Sequence, residues 1–299
     1  MRSWLLLFAC NLMWALQFTC IKLVEGQVGG LFTVWAPMTL ATVMLYPLIR
    51  LEKHRTPLSR KDALTFLMLA GLGIFPGQVI LTWGTRLSLA SNAAMLMLTM
   101  PVSTALFAVL FLKERMTPVR WVSFAAALAG VLLCSGGDLR NLDFGSGYLI
   151  GNLLIFSGTL GSAFYNSYGK RMLERYSPME MLFYSYAAMF VIVTPLVIWL
   201  EPESFLAVPH FTRQTWTGMG LLTFFHNYLS MVLFLKALQK LDAIQTALCN
   251  YLVTVFGLPV AAIWLGERLS PAAIMGGVLV LASTLVITIW EELRKRQRA

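Results

Sequence analysis

Apolar runs of about twenty residues follow one another along the whole chain, and that recurring length excludes most folds. A bilayer core about 30 Å thick is crossed by roughly 20 residues of α-helix rising 1.5 Å each. Ten stretches meet this requirement: 3–23, 31–49, 63–83, 89–112, 118–136, 146–169, 179–200, 215–237, 242–265 and 271–290. Composition removes the soluble alternative. Only 12% of the 299 residues are charged and 58% are hydrophobic, against roughly 25% and 45–50% in soluble domains. Half the usual charge cannot cover a body of this size in water, so most of its surface is solvated by lipid. The expected fold is all-α and integral to the membrane, with ten transmembrane helices.

A net charge of +9 raises nucleic acid as a partner, and the placement of the cations argues against it. With the N-terminus in the cytoplasm, eighteen Lys and Arg fall on the cytoplasmic side, among them Arg50, Arg55, Arg60 and Lys61 together and Arg294 to Arg298 together. Five fall on the other side: Lys22, Arg86, Arg140, Arg213 and Arg268. This asymmetry is the positive-inside pattern of a multi-pass protein. It implies an even number of spans with both termini cytoplasmic, and in a bacterium it places the chain in the inner membrane. Arg2 and the run Leu7-Phe8-Ala9-Cys10 imitate a cleaved leader. Apolar character continues to Val24, however, long enough to span, so the segment is read as the first helix. Cys10, Cys20, Cys134 and Cys249 all lie inside spans and read as small core hydrophobes.

The chain also repeats itself. At an offset of 153, Leu112, Glu114, Arg115 and Pro118 match Leu265, Glu267, Arg268 and Pro271, and Ala90, Asn92 and Ala94 match Ala243, Gln245 and Ala247. At an offset of 148, Phe8, Ala15 and Lys22 match Phe156, Ala163 and Lys170. Each Glu-Arg corner ends in Thr-Pro or Ser-Pro, where the hydroxyl can cap the next helix and the proline suits its first turn. The expected domains are 1–144 and 145–299, five helices each. Five is odd, so the second copy enters the membrane inverted. Inverted repeats recur in secondary transporters, with the substrate site between the halves.

The stretch "LMLTMPVSTALFAVLFLKERMTPVRWVSFAAALAGVLL" and its echo "LVTVFGLPVAAIWLGERLSPAAIMGGVLVLASTLVI" resemble the two EamA domains of the drug/metabolite transporter superfamily, and "NLMWALQFTCIKLV" resembles that family's first helix. The resemblance covers nearly the whole chain. It implies ten helices, cytoplasmic termini and a central cavity lined by spans 1, 3, 4, 6, 8 and 9. It also implies a secondary transporter, in many bacterial members an exporter of amino acids or related metabolites, and leaves room for a homodimer.

No motif for an enzyme, a nucleotide, a cofactor or a metal is present, so neither catalysis nor a cofactor is expected. All fourteen acidic residues lie at span ends or in loops. The first span lacks the Glu that small multidrug exporters use, which disfavours proton-coupled export of lipophilic cations. His226 is the exception at mid-span, a candidate for proton coupling or substrate binding. The uncharged candidates for substrate contact are Trp14 and Gln17, Gln78, Asn92 and Met95, Tyr165, Asn166 and Tyr168, Tyr228, and Asn250 and Tyr251. Amides and phenols in hydrocarbon must face protein, water or ligand, and interhelical bonding is the better explanation for any single one. Together they suit a neutral or zwitterionic amphiphile such as an amino acid. Lys22, Arg86, Lys170 and Lys236 keep an organic anion or drug-like compound as an alternative, although at span ends they read as snorkelling cations. Gly73-x-x-x-Gly77 and Gly147-x-x-x-Gly151 read as close helix packing. The tail from Glu291 to Arg298 reads as solvated. A polytopic membrane enzyme or a scaffold without transport is the alternative of a different class.

Overall fold

The computed structural model describes residues 2–52, 55–88, 96–134, 146–253, 255–256 and 271–298, and among them every element is helical. The first rod breaks at Leu16 into α1 (Arg2–Ala15) and α2 (Gln17–Val24). There follow α3 (Gly30–Leu51), α4 (Arg60–Thr85), α5 (Thr99–Leu112), α6 (Pro118–Cys134) and α7 (Leu149–Tyr168). The rest are α8 (Pro178–Leu200), α9 (Arg213–Lys240), α10 (Ala243–Cys249) and α11 (Pro271–Arg298). Five have the length and apolarity to cross a membrane: α3, α4, α8, α9 and the Ile274–Glu291 portion of α11. Val43, Leu72, Val122, Val191 and Val278, from five different helices, stand exposed on the outside of the bundle. An apolar exterior of this kind is what a lipid solvent permits.

Without a hydrophobic force between helices in lipid, small residues let backbones approach closely. The contact of α4 with α7 is built this way. A Cβ at Gly73 would sit 2.9 Å from the Tyr165 Cβ, and one at Gly161 would sit 2.7 Å from the Pro76 Cβ. Gly77 and Gly151 are equally closed, whereas Gly147 has open space around it, so only half of the second glycine pair serves packing. Gly130 joins α6 to α11 by the same device, with the Gly276 carbonyl 2.7 Å from where its Cβ would be. Polar bonds supplement these contacts: Trp35 Nε1 of α3 donates to Thr194 Oγ1 of α8 at 2.8 Å.

Both α4 and α9 depart from α-geometry near their middles. In α4 the segments Ala70–Ile74 and Pro76–Ile80 are π-helical, and in α9 so is Leu222–Ser230. Wide turns release carbonyls from the usual ladder and concentrate at functional sites. One is used at once: Tyr186 of α8 donates its hydroxyl to the Asn227 carbonyl at 3.1 Å.

The chain reverses at two ends of the bundle. At one, the corner after α5 turns through Lys113 in the left-handed region (φ 56°), and Thr117 Oγ1 accepts the Arg120 N–H at 3.3 Å, as the sequence of that corner suggests. The matching corner at 265–270 lies outside the described residues. At the same end Ser177 and Glu180 form a capping box that opens α8. At the other end the loop after α2 is stitched to the segment between α8 and α9.

Candidate functional site

The site builds up from α1. Asn11 and Trp14 are three residues apart, and so share one face of the helix. Asn11 is fully buried; its Nδ2 donates to the Leu7 carbonyl at 2.7 Å, and its Oδ1 has no partner among the described residues. The Trp14 indole packs on Phe234 of α9 with ring centroids 5.1 Å apart, and its buried Nε1 has no partner either. α1 packs against α9, both in its π-helical segment and beyond it, and against α10. The middle of that π-helical segment carries His226, whose Nδ1 is buried and unpartnered while its carbonyl accepts from Ser230 Oγ. Asn250, the residue that ends α10, is buried with neither side-chain amide atom bonded among the described residues.

Four side chains on three mutually packed elements thus present five polar atoms without a partner among the described residues. Asn11 Oδ1 and Asn250 Oδ1 accept; Trp14 Nε1 and Asn250 Nδ2 donate; His226 Nδ1 does either, according to its tautomer. None of the four side chains carries a permanent charge. Among the described residues no three His, Cys, Asp or Glu side chains gather as metal ligands.

A sequence model of the EamA-like transporter family matches residues 1–136 and again residues 149–289. The chain belongs to that family. It is 28% identical over 276 residues, 92% of this chain and 89% of the other, to a "Probable terminal-alkyne amino-acid exporter" of Streptantibioticus cattleyicolor. It is 26% identical over 229 residues, 75% of this chain and 72% of the other, to an "S-adenosylmethionine uptake transporter" of Rickettsia conorii. One solved crystal structure shares the fold over 99% of both chains, with a TM-score of 0.82 at 15% identity. The protein is a multi-pass membrane protein related to transporters.

The remaining candidates of this EamA-family chain fall into several groups. Tyr165 and Tyr251 are buried and used between helices. Tyr165 donates to Ser185 Oγ on α8 at 3.4 Å, and Tyr251 donates to the Leu98 carbonyl at 3.2 Å while its ring meets Phe124. Tyr168, the last residue of α7, stacks on Phe164, with the Arg171 guanidinium 5.0 Å from its ring centroid. Gln17 is half-buried at the start of α2, just past the break in the first rod. Gln78 is half-buried in the second π-helical segment of α4, where its carbonyl accepts from Thr82 at 2.6 Å. Asn166 is buried in α7, and Tyr228 lies against Phe224. Asn92 and Met95 lie outside the described residues. Asn11 was not among the sequence candidates, although an amide within an apolar run was a visible signal.

Two expectations about charge are corrected. Lys170 does not reach out to water: its Nζ donates to Glu114 Oε1 at 3.0 Å and to the Leu241 carbonyl at 2.6 Å. Nor is Glu291 solvated. It is 8% exposed and accepts from Arg120 Nε at 2.8 Å. Arg120 also donates through Nη1 to the Arg115 carbonyl at 2.9 Å and through Nη2 to Asp242 Oδ2. Both corrections have one cause: each charge meets an opposite charge more than fifty residues away, which sequence spacing does not reveal.

Proposed function

We propose that the protein is a secondary transporter of neutral or zwitterionic amphiphiles of the amino-acid kind, working as an exporter by alternating access. In this reading ten spans form two inverted five-helix halves, 1–144 and 145–299, with the basic end of the bundle in the cytoplasm. The observation that carries the substrate class is the seam of Asn11, Trp14, His226 and Asn250. A buried polar group without a partner costs on the order of 1–3 kcal/mol, so five such atoms together need a reason. Acceptors beside donors, without a fixed charge, match an ammonium and a carboxylate borne on one small molecule. The relatedness to an amino-acid exporter supports the same direction. An organic anion is less well served: Lys170 is already neutralised by Glu114, and Lys236 is exposed outside the seam.

The test is flux of labelled amino acids through purified protein in liposomes, with Asn250→Leu as the diagnostic variant. Leucine matches the volume and removes both unbonded atoms, so stability should hold or rise while flux falls at least about tenfold. Lower stability with unchanged flux per folded molecule would make Asn250 a structural residue and remove the seam from transport. His226→Leu in the same assay asks whether flux keeps any dependence on pH.

A further inference from the structure

We infer that Arg120 is the pin of an ionic latch that holds the two halves together at the basic end, and that its release opens the seam to the cytoplasm. The inference rests on the proposed transporter reading and adds a device to it. Five groups take part, each from a different element. Glu114 comes from the corner after α5 and Arg120 from the first turn of α6, while Lys170 follows α7, Asp242 caps α10 and Glu291 lies near the end of α11. The first two belong to the first half and the other three to the second. Three of the four ion pairs therefore join one half to the other: Arg120 to Asp242, Arg120 to Glu291 at 2.8 Å, and Lys170 to Glu114 at 3.0 Å. The fourth, Lys170 to Asp242 at 3.9 Å, stays within the second half.

The chemistry makes this latch two-stated. The Arg120 side chain is 6% exposed and that of Glu114 is 8%, so parting either from its own partner without water strands charge in a medium of low polarity. Once the mouth opens, water solvates each group separately. The closed and the fully wetted arrangements are both satisfied, and the half-parted one is not. The guanidinium is suited to the pin because its planar fork donates to two carboxylates and a carbonyl from three separate nitrogens, a spread that the single nitrogen of an ammonium does not have.

The latch also reaches the seam. Glu114 accepts the backbone N–H groups of Ala243 and Ile244 at 2.8 and 3.0 Å, and Asp242 caps the same helix. That helix, α10, is seven residues long, about 10 Å, and Asn250 follows it directly. Latch and seam thus occupy the two ends of one short rod. Whatever moves the first turn moves Asn250.

Cys249, fully buried beside Asn250, is the reporter. With Cys10→Ser, Cys20→Ser and Cys134→Ser as background, its labelling by a membrane-impermeant maleimide is timed in inside-out and right-side-out vesicles. Arg120→Gln and Glu291→Gln should each speed labelling about tenfold in inside-out vesicles alone, with Arg120→Lys between them and the parent. Unchanged labelling of inserted protein overturns the latch, and so does an equal rise from both sides, which signals general loosening. If Arg120→Gln does not accumulate, the milder Glu291→Gln decides by itself. No substrate is needed, so a silent latch with intact flux sinks this inference alone, whereas a responsive latch without flux sinks the transporter reading.

Discussion

At one end of the bundle the Glu114 carboxylate accepts the N–H groups of Ala243 and Ile244; at the other the Glu201 carboxylate accepts those of Leu31 and Phe32 at 3.0 and 2.9 Å. Both are side chains from one part of the chain capping a helix in another. Their surroundings differ. Glu114 is joined by Lys170, and Arg120, Asp242 and Glu291 complete the cluster. Around Glu201 the bonded groups are neutral: Ser204 Oγ accepts from the Gly29 N–H at 3.1 Å, and Gln27 bonds to the His210 carbonyl and the Thr212 N–H. Among the described residues Glu201 has no ion pair. Gly29 leaves room for that carboxylate, since a Cβ there would lie 2.7 Å from Glu201 Oε1 and push the side chain aside. The comparison teaches that one backbone-capping device can be made firm or yielding by the charges around it. A neutral stitch loses little when it is loosened; an ionic cluster resists partial opening.

The comparison is open to attack by mutation. The largest effect belongs to Glu114→Ala, which removes two caps and leaves Lys170 facing Asp242 alone; about 3 kcal/mol of stability should be lost, read from thermal unfolding of purified protein in detergent. Glu201→Ala removes two caps and no ion pair, and should cost about 1–2 kcal/mol in the same assay. Equal losses for the two would mean that charge adds nothing to the Glu114 end beyond capping. Gln27→Ala should be the mildest, at about 0.5–1 kcal/mol, because water replaces its exposed bonds to the His210 carbonyl and the Thr212 N–H and only the part-buried bond from the Thr215 hydroxyl is lost outright. A greater loss there would show the neutral end to be the tighter of the two.

Local features were legible in the sequence and distant ones were not. Thr117 and Pro118 announce their corner because capping acts over three residues, and Gly73 and Gly77 announce close packing because no other residue fits. The apolar run lengths announce membrane helices for the same local reason. Glu114, by contrast, caps a helix 129 residues away, and nothing in its neighbourhood names that partner. Tyr165 and Tyr251 stand out in the sequence as candidates, and their partners, Ser185 and the Leu98 carbonyl, are distant ones that it does not name. Trp14, His226 and Asn250 look the same in sequence, and only burial without a partner separates them. The π-helical segments were hidden as well, since one extra residue in a turn hardly disturbs a pattern that is apolar on nearly every face.

Those wide turns carry a mechanical consequence. Each π-helical segment stores slack, a residue more per turn than the helix above and below it. α4 and α9 both hold that slack at mid-depth, where the first presses on α7 and the second on α1. A helix built so can lengthen on one side and shorten on the other without releasing either end. Its corners can stay fastened while its middle bends, and in α9 the residue riding on that bend is His226.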